Sequence, residues 1–90
     1  MLHQRIKELR QTRSWSQVDL AKKLNVTKQT VSNWENDNIQ PSVEMLVRLS
    51  KIFNVSTDYL LGLDDRMLVD VTGLTKETIG HISLLISDLK

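Results

Sequence analysis

Residues 16–36, SQVDLAKKLNVTKQTVSNWEN, carry two short helical patterns joined by a tight turn, and the rest of the chain is organised around them. Ser16 is suited to an N-cap, its hydroxyl able to accept a hydrogen bond from a free backbone N–H of the next turn. Leu20, Ala21 and Leu24 recur at helical spacing, so the first of the two helices has one apolar face. Asn25 tolerates a left-handed backbone and can end that helix. Val26 is apolar, and Thr27 offers a fresh N-cap for a second helix running to about Asn36.

In the second helix only Val31 and Trp34 are clearly apolar. A rotation of about 100° per residue sets these two side by side, facing the core. Gln29, Ser32, Asn33 and Asn36 then share the opposite face, with Lys28 and Thr30 on its flanks. Surface helices usually carry Glu and Lys there; amides, a hydroxyl and a lysine donate and accept hydrogen bonds instead. Glutamine and asparagine can grip adenine through two bonds, and lysine can reach the guanine acceptors. The expected base-reading set is Thr27, Lys28, Gln29, Ser32 and Asn33. The alternative is an ordinary solvated polar face.

Outward from this stretch, residues 2–13 predict a first helix with Leu2, Ile6 and Leu9 as its apolar stripe, ringed by Arg5, Lys7, Arg10 and Arg13. Trp15 reads as a core plug in the loop that follows. The N-terminus of the next helix, at Ser16 and Gln17, offers backbone N–H groups and a helix dipole to a phosphate. Arg13 lies close by in sequence, and Thr30, Asn36 and Asn38 border the reading face. Together these six are the expected phosphate contacts. Lys22 and Lys23 read equally well as general surface charge.

Pro41-Ser42 marks a new start, and Met45, Leu46, Leu49, Ile52 and Phe53 predict the buried face of a fourth helix. Asn54 ends it, Val55 points inward, and Ser56 caps a fifth helix that Gly62 stops. Leu63 to Asp65 begins a linker, and Met67–Val71 alternates weakly, as an extended segment would. Thr75 caps a last helix with Ile79, Ile82, Leu85, Ile86 and Leu89 along one stripe. An isolated helix of this length is marginal in water. The stripe is therefore expected to bury itself against a second copy of the chain, with docking on its own core as the alternative.

The 90 residues bound one compact domain with an appendage, and a core this small gains from oligomerisation. No cysteine is present, which excludes disulfides, thiol catalysis and thiolate metal sites, and suits a cytoplasmic location. No apolar run approaches a membrane span. The net charge of +1 conceals an asymmetry: residues 1–30 hold seven Lys/Arg against two acids, or +5, while residues 31–60 and 61–90 each carry −2. The positive end is the end with the two-helix motif, which favours a nucleic-acid partner.

The motif resembles the helix-turn-helix of the phage-repressor/Cro family of small bacterial and phage transcriptional regulators, also called the Xre family. The likeness runs over residues 2 to 62. It rests on Gln17 opening the first motif helix, Ala21 at a close helix crossing, Val31 and Trp34 in the two apolar slots, and Glu35-Asn36 behind them. NVSTDYLLG, residues 54–62, is similar to the family's closing helix. Asn25 stands where the family usually has Gly, and Asp37-Asn38-Ile39-Gln40 replaces a linker that is often basic.

The resemblance implies an all-α fold, a compact five-helix repressor-like DNA-binding domain over residues 1–62. Residues 63–90 would add a C-terminal extension with a short extended segment and one amphipathic helix. It also implies a scaffold pair, Arg10 with Glu35. The expected function is sequence-specific double-stranded DNA binding as a homodimer on an inverted repeat, regulating transcription as a repressor. The alternative is an antitoxin or anti-repressor-like module whose C-terminal helix binds a different protein partner. An enzyme is not expected: His3 and His81 are isolated, Asp64-Asp65 reads as solvated, and no phosphate loop or nucleophile motif is present. No cofactor, metal or membrane partner is expected.

Overall fold

The computed structural model describes residues 1–66 and 72–89. The extended segment expected at Met67–Val71 lies outside the described residues. Six helices follow in order: α1 (Leu2–Thr12), α2 (Gln17–Leu24), α3 (Lys28–Glu35), α4 (Val43–Phe53), α5 (Thr57–Leu61) and α6 (Lys76–Leu89). Among the described residues there is no strand.

Local chemistry sets most of these boundaries. Ser16, Thr27, Ser42 and Ser56 each accept a hydrogen bond from the backbone N–H three residues on, at 2.9–3.2 Å. A cap of this kind contributes about 1 kcal/mol. Asn25 and Asn54 end α2 and α4 in the left-handed region, at φ 57° and 54°. The asparagine side chain makes that conformation tolerable without glycine. Gly62 closes α5 at φ 79°. α1 ends one residue earlier than the pattern suggested, because Ser14 is also left-handed, at φ 58°.

The core gathers Ile6 of α1, Leu20 and Leu24 of α2, Val31 of α3, Leu49 and Phe53 of α4, and Leu60 of α5, all essentially inaccessible. Full burial of such a side chain stabilises by about 1.5–3 kcal/mol. α1 is the hub, packing against α3 on one side and α5 on the other, while α2 packs on α3 and α4 on α5. Ala21, 3% exposed, stands at a buried point of α2, where its small side chain lets neighbouring helices approach. Met45, Leu46 and Ile52 only border the core. Trp15 packs against the core as expected but is not enclosed by it. It is half-buried, its ring stacked on Phe53 at 5.8 Å between centroids.

No residue of α6 is buried. Ile79 and Ile82 are half-covered, whereas Leu85, Ile86 and Leu89 are 63%, 43% and 87% exposed. Docking of this stripe on the chain's own core is therefore not what the fold shows.

Gly62→Ala should destabilise the domain by about 1–2 kcal/mol, the cost of a left-handed conformation for a residue with a Cβ. The added carbon would also meet Met1 Cε at 3.0 Å, but that is the far end of a flexible side chain and can move. A thermal melt reads the difference as several degrees. An unchanged melting temperature would show that the turn relaxes.

Candidate nucleic-acid interface

α3 has one face fixed to the core and one free. Val31 and Trp34 are 0% and 4% exposed, and Glu35 is 6% exposed. Lys28, Gln29 and Asn36 are exposed on the other side, with Thr30, Ser32 and Asn33 half-buried. This is the division that the sequence predicts.

The free face is internally bonded. Gln29 Nε2 donates to Asn33 Oδ1 at 3.0 Å, and Asn36 Nδ2 donates to Ser32 Oγ at 3.2 Å. The Thr27 and Thr30 hydroxyls share a hydrogen bond of 2.9 Å, and Thr27 Oγ1 also accepts from the Thr30 backbone. Side chains one helical turn apart meet in this way. Lys28 projects from the first position of the helix, beside the Thr27 cap.

What holds α3 is a pair of ionised groups. Arg10 Nε and Nη2 donate to the two oxygens of Glu35 at 2.7 and 2.9 Å, a fork-to-fork contact with both side chains nearly enclosed. Arg10 Nη1 also donates to the Trp15 carbonyl at 2.7 Å. These bonds to Glu35 hold the guanidinium above its ordinary pKa, against the opposing effect of burial. The pair ties α1 to the end of α3 and so fixes the angle at which the polar face is presented. Gln17 joins the network, its Nε2 donating to Glu35 Oε1 at 3.3 Å.

The expected phosphate set divides. Arg13 is already engaged within the fold: its Nη2 donates to the Phe53 carbonyl at 2.8 Å, and its guanidinium lies over the Phe53 and Trp15 rings. It ties the end of α1 to the last turn of α4, where carbonyls lack helix partners. Gln17 keeps its place at the N-terminus of α2, bonded as described. Ser16 is already engaged in a reciprocal capping box: its hydroxyl accepts from the Asp19 N–H, and its own N–H donates to Asp19 Oδ2 at 2.8 Å. The Asp19 carboxylate thus sits where an anion was expected. Thr30 flanks α3 and Asn36 follows it. Asn38 is exposed, its backbone N–H bonded to the Asn33 carbonyl at 2.9 Å.

The basic excess of residues 1–30 is smaller at the surface than in composition. Arg5 stacks on Tyr59 at 4.1 Å, donates to the carbonyls of Tyr59 and Asp64, and pairs with Asp65 at 2.6 Å. With Arg10 and Arg13 also engaged, Lys7, Lys22, Lys23 and Lys28 remain as exposed cations of that segment. Lys23 lies over Trp15, 4.6 Å from the ring centroid. Counting charges could not have distinguished these groups, because each arginine's partner is distant in sequence.

Asp19 is expected to lend the fold some acid sensitivity. The Ser16 backbone N–H, then its hydroxyl, with Lys22 and Lys23 nearby, hold the carboxyl below its ordinary value. A depressed folded-state pKa means that the stabilisation is complete above the unfolded value, near about 4, and lost as pH falls through the folded one. Asp19→Asn should therefore lose less stability than the parent between about pH 5 and 2, read as urea midpoints. Parallel curves would show that the capping carboxylate is not linked to folding.

Among the described residues no group of His, Asp and Glu gathers to hold a metal ion, and no helix is long and apolar enough to cross a membrane.

Two short helices crossing at a tight turn, the second exposing a polar row, define a helix-turn-helix module. A helix-turn-helix family model matches residues 6–60. The chain belongs to that family, the Cro/C1-type helix-turn-helix proteins. It is 42% identical over 80 residues to the HTH-type transcriptional regulator ImmR of Bacillus subtilis (strain 168), an alignment covering 89% of this chain and 63% of ImmR. The chain spans about three-fifths of the length of the first curated relatives it matches.

Among solved structures it is similar to the P22 c2 repressor in complex with a synthetic operator, with TM-score 0.67 and 34% identity over 71% of this chain and 97% of that one. It is also similar to SinR, the master regulator for biofilm formation, in complex with DNA, with TM-score 0.62 and 35% identity over 68% and 98% of the two chains. The SinR/SinI protein complex matches at TM-score 0.64 and 25% identity, over 97% and 95%.

Proposed function

We propose that the chain is a sequence-specific DNA-binding transcriptional regulator acting as a repressor, with α3 in the major groove. The observation that carries this is the amide and hydroxyl row of α3, held outward while Val31, Trp34 and the Arg10–Glu35 pair fix the helix from behind. The P22 c2 and SinR complexes support it, since both relatives bind DNA through chains of this fold. Thr27, Lys28, Gln29, Ser32 and Asn33 are the proposed base-facing residues. Gln17, Thr30, Asn36 and Asn38 are the proposed phosphate contacts, and Ser16, held in its capping box with Asp19, is left with Arg13 to the scaffold.

Residues 1–62 would be the DNA-binding unit and residues 63–90 the dimerisation element. The stripe Ile79, Ile82, Leu85, Ile86 and Leu89, none of it buried, supports a homodimer, which would prefer an inverted repeat with half-sites one helical turn or a multiple apart. The same stripe supports a second reading, capture of a different protein, and SinR's complex with SinI is the precedent.

Selection from a random duplex pool, with mass measured in solution alongside, separates the two. The regulator reading expects a dimer and an enriched inverted repeat. A monomer that enriches no sequence would contradict it.

A further inference from the structure

The outward face of α3 does not present its two amides as independent groups. Gln29 Nε2 donates to Asn33 Oδ1 at 3.0 Å, with Gln29 exposed and Asn33 half-buried beneath it. Asn33 is itself held from below: its backbone carbonyl accepts the N–H groups of Asn38 at 2.9 Å and Ile39 at 3.3 Å. The loop after α3 therefore anchors the backbone of the residue whose side chain bonds Gln29.

We infer that Asn33 is a positioning residue for Gln29 and not a second reader, so that the two side chains together recognise one A·T base pair. A primary amide has two N–H donors and one oxygen. The bond to Asn33 uses one donor of Gln29 and leaves its oxygen and its second N–H. Those are the groups that adenine's N6 amino group and N7 acceptor require. Asn33, by contrast, is half-buried and already accepts Gln29 on one of the two lone pairs of Oδ1, so it is the less able of the two to reach an adenine of its own. A free glutamine must also be ordered when it binds, whereas this one is held beforehand, which lowers that cost.

The inference rests on the DNA-reading function proposed above. Its test compares duplex selection by the full chain with Gln29→Ala, Asn33→Ala, Asn33→Asp and the double alanine variant. Asn33→Ala should flatten the same base-pair column as Gln29→Ala, by about tenfold in preference, and the double variant should lose nothing beyond Gln29→Ala. Asn33→Asp keeps the acceptor, so it should retain preference in that column while binding all duplexes more weakly through repulsion.

The alanine change leaves the backbone bonds to Asn38 and Ile39 in place, and thermal melts run alongside report folding. A separate column flattened by Asn33→Ala, an untouched Gln29 column, or losses that multiply in the double variant would overturn the inference and leave DNA reading standing. A parent chain that selects no sequence would overturn both.

Discussion

Glu35→Ala is expected to destabilise the fold by about 3–5 kcal/mol, the cost of leaving one member of a buried ion pair without its partner. Glu35 accepts both forks of Arg10 and the Gln17 amide, and its side chain is 2% exposed. Removing it strands a guanidinium that is 11% exposed. A domain of this size holds only several kcal/mol in total. The melting temperature should fall by about 15 °C or more, and unfolding at room temperature would be consistent.

Replacing both partners is the control. Arg10→Met with Glu35→Leu removes the charges together, and apolar replacements of buried ion pairs are often neutral or stabilising. The double variant should therefore recover most of the loss, short of the bonds from Arg10 to the Trp15 carbonyl and from Gln17 to Glu35. A Glu35→Ala chain within about 1 kcal/mol of the parent would show that water reaches Arg10 and that α1 and α3 are tied by packing alone.

What could be read without coordinates follows a physical division. Caps at Ser16, Thr27, Ser42 and Ser56 and stops at Asn25, Asn54 and Gly62 are decided within three or four residues, so their residue types announce them. The apolar sides of α2 and α3 follow from helical period alone. The tie between Arg10 and Glu35 became visible only through family likeness, since 25 residues separate the partners.

Arg5 and Arg13 escaped altogether. Each donates to a carbonyl at the end of a helix that arrives 40 or more residues later, and nothing in an arginine's neighbourhood in sequence reveals that destination. Asp19 was legible in principle, because Ser16 and Asp19 have capping-box spacing, yet the phosphate seat drew the reading instead. The Gln29 and Asn33 spacing was likewise visible, but sequence treats the two amides as separate readers.

Gln29→Ala carries the second large effect, on recognition. A bidentate amide–adenine contact supplies about 1–3 kcal/mol of discrimination, and a symmetric dimer makes it twice, for about 2–6 kcal/mol. Gln29 is exposed and its side-chain hydrogen bond goes to Asn33 on the same face, so folding should be unaffected. Affinity for unrelated duplexes should also hold, because phosphate neutralisation supplies that part and the charge is unchanged. Lys28→Ala should behave differently, removing both a charge and a base-facing donor: it should weaken selected and unrelated duplexes together, flatten the salt dependence and relax the preference at one further base pair.

The ratio of dissociation constants for a selected inverted-repeat duplex and a scrambled duplex, at one salt concentration, tests most directly whether α3 reads bases. The parent chain should favour the selected duplex by about a thousandfold or more. Gln29→Ala should surrender at least about thirtyfold of that ratio while binding the scrambled duplex as before. A ratio near one for the parent, or a parent-like ratio for Gln29→Ala, would contradict the account.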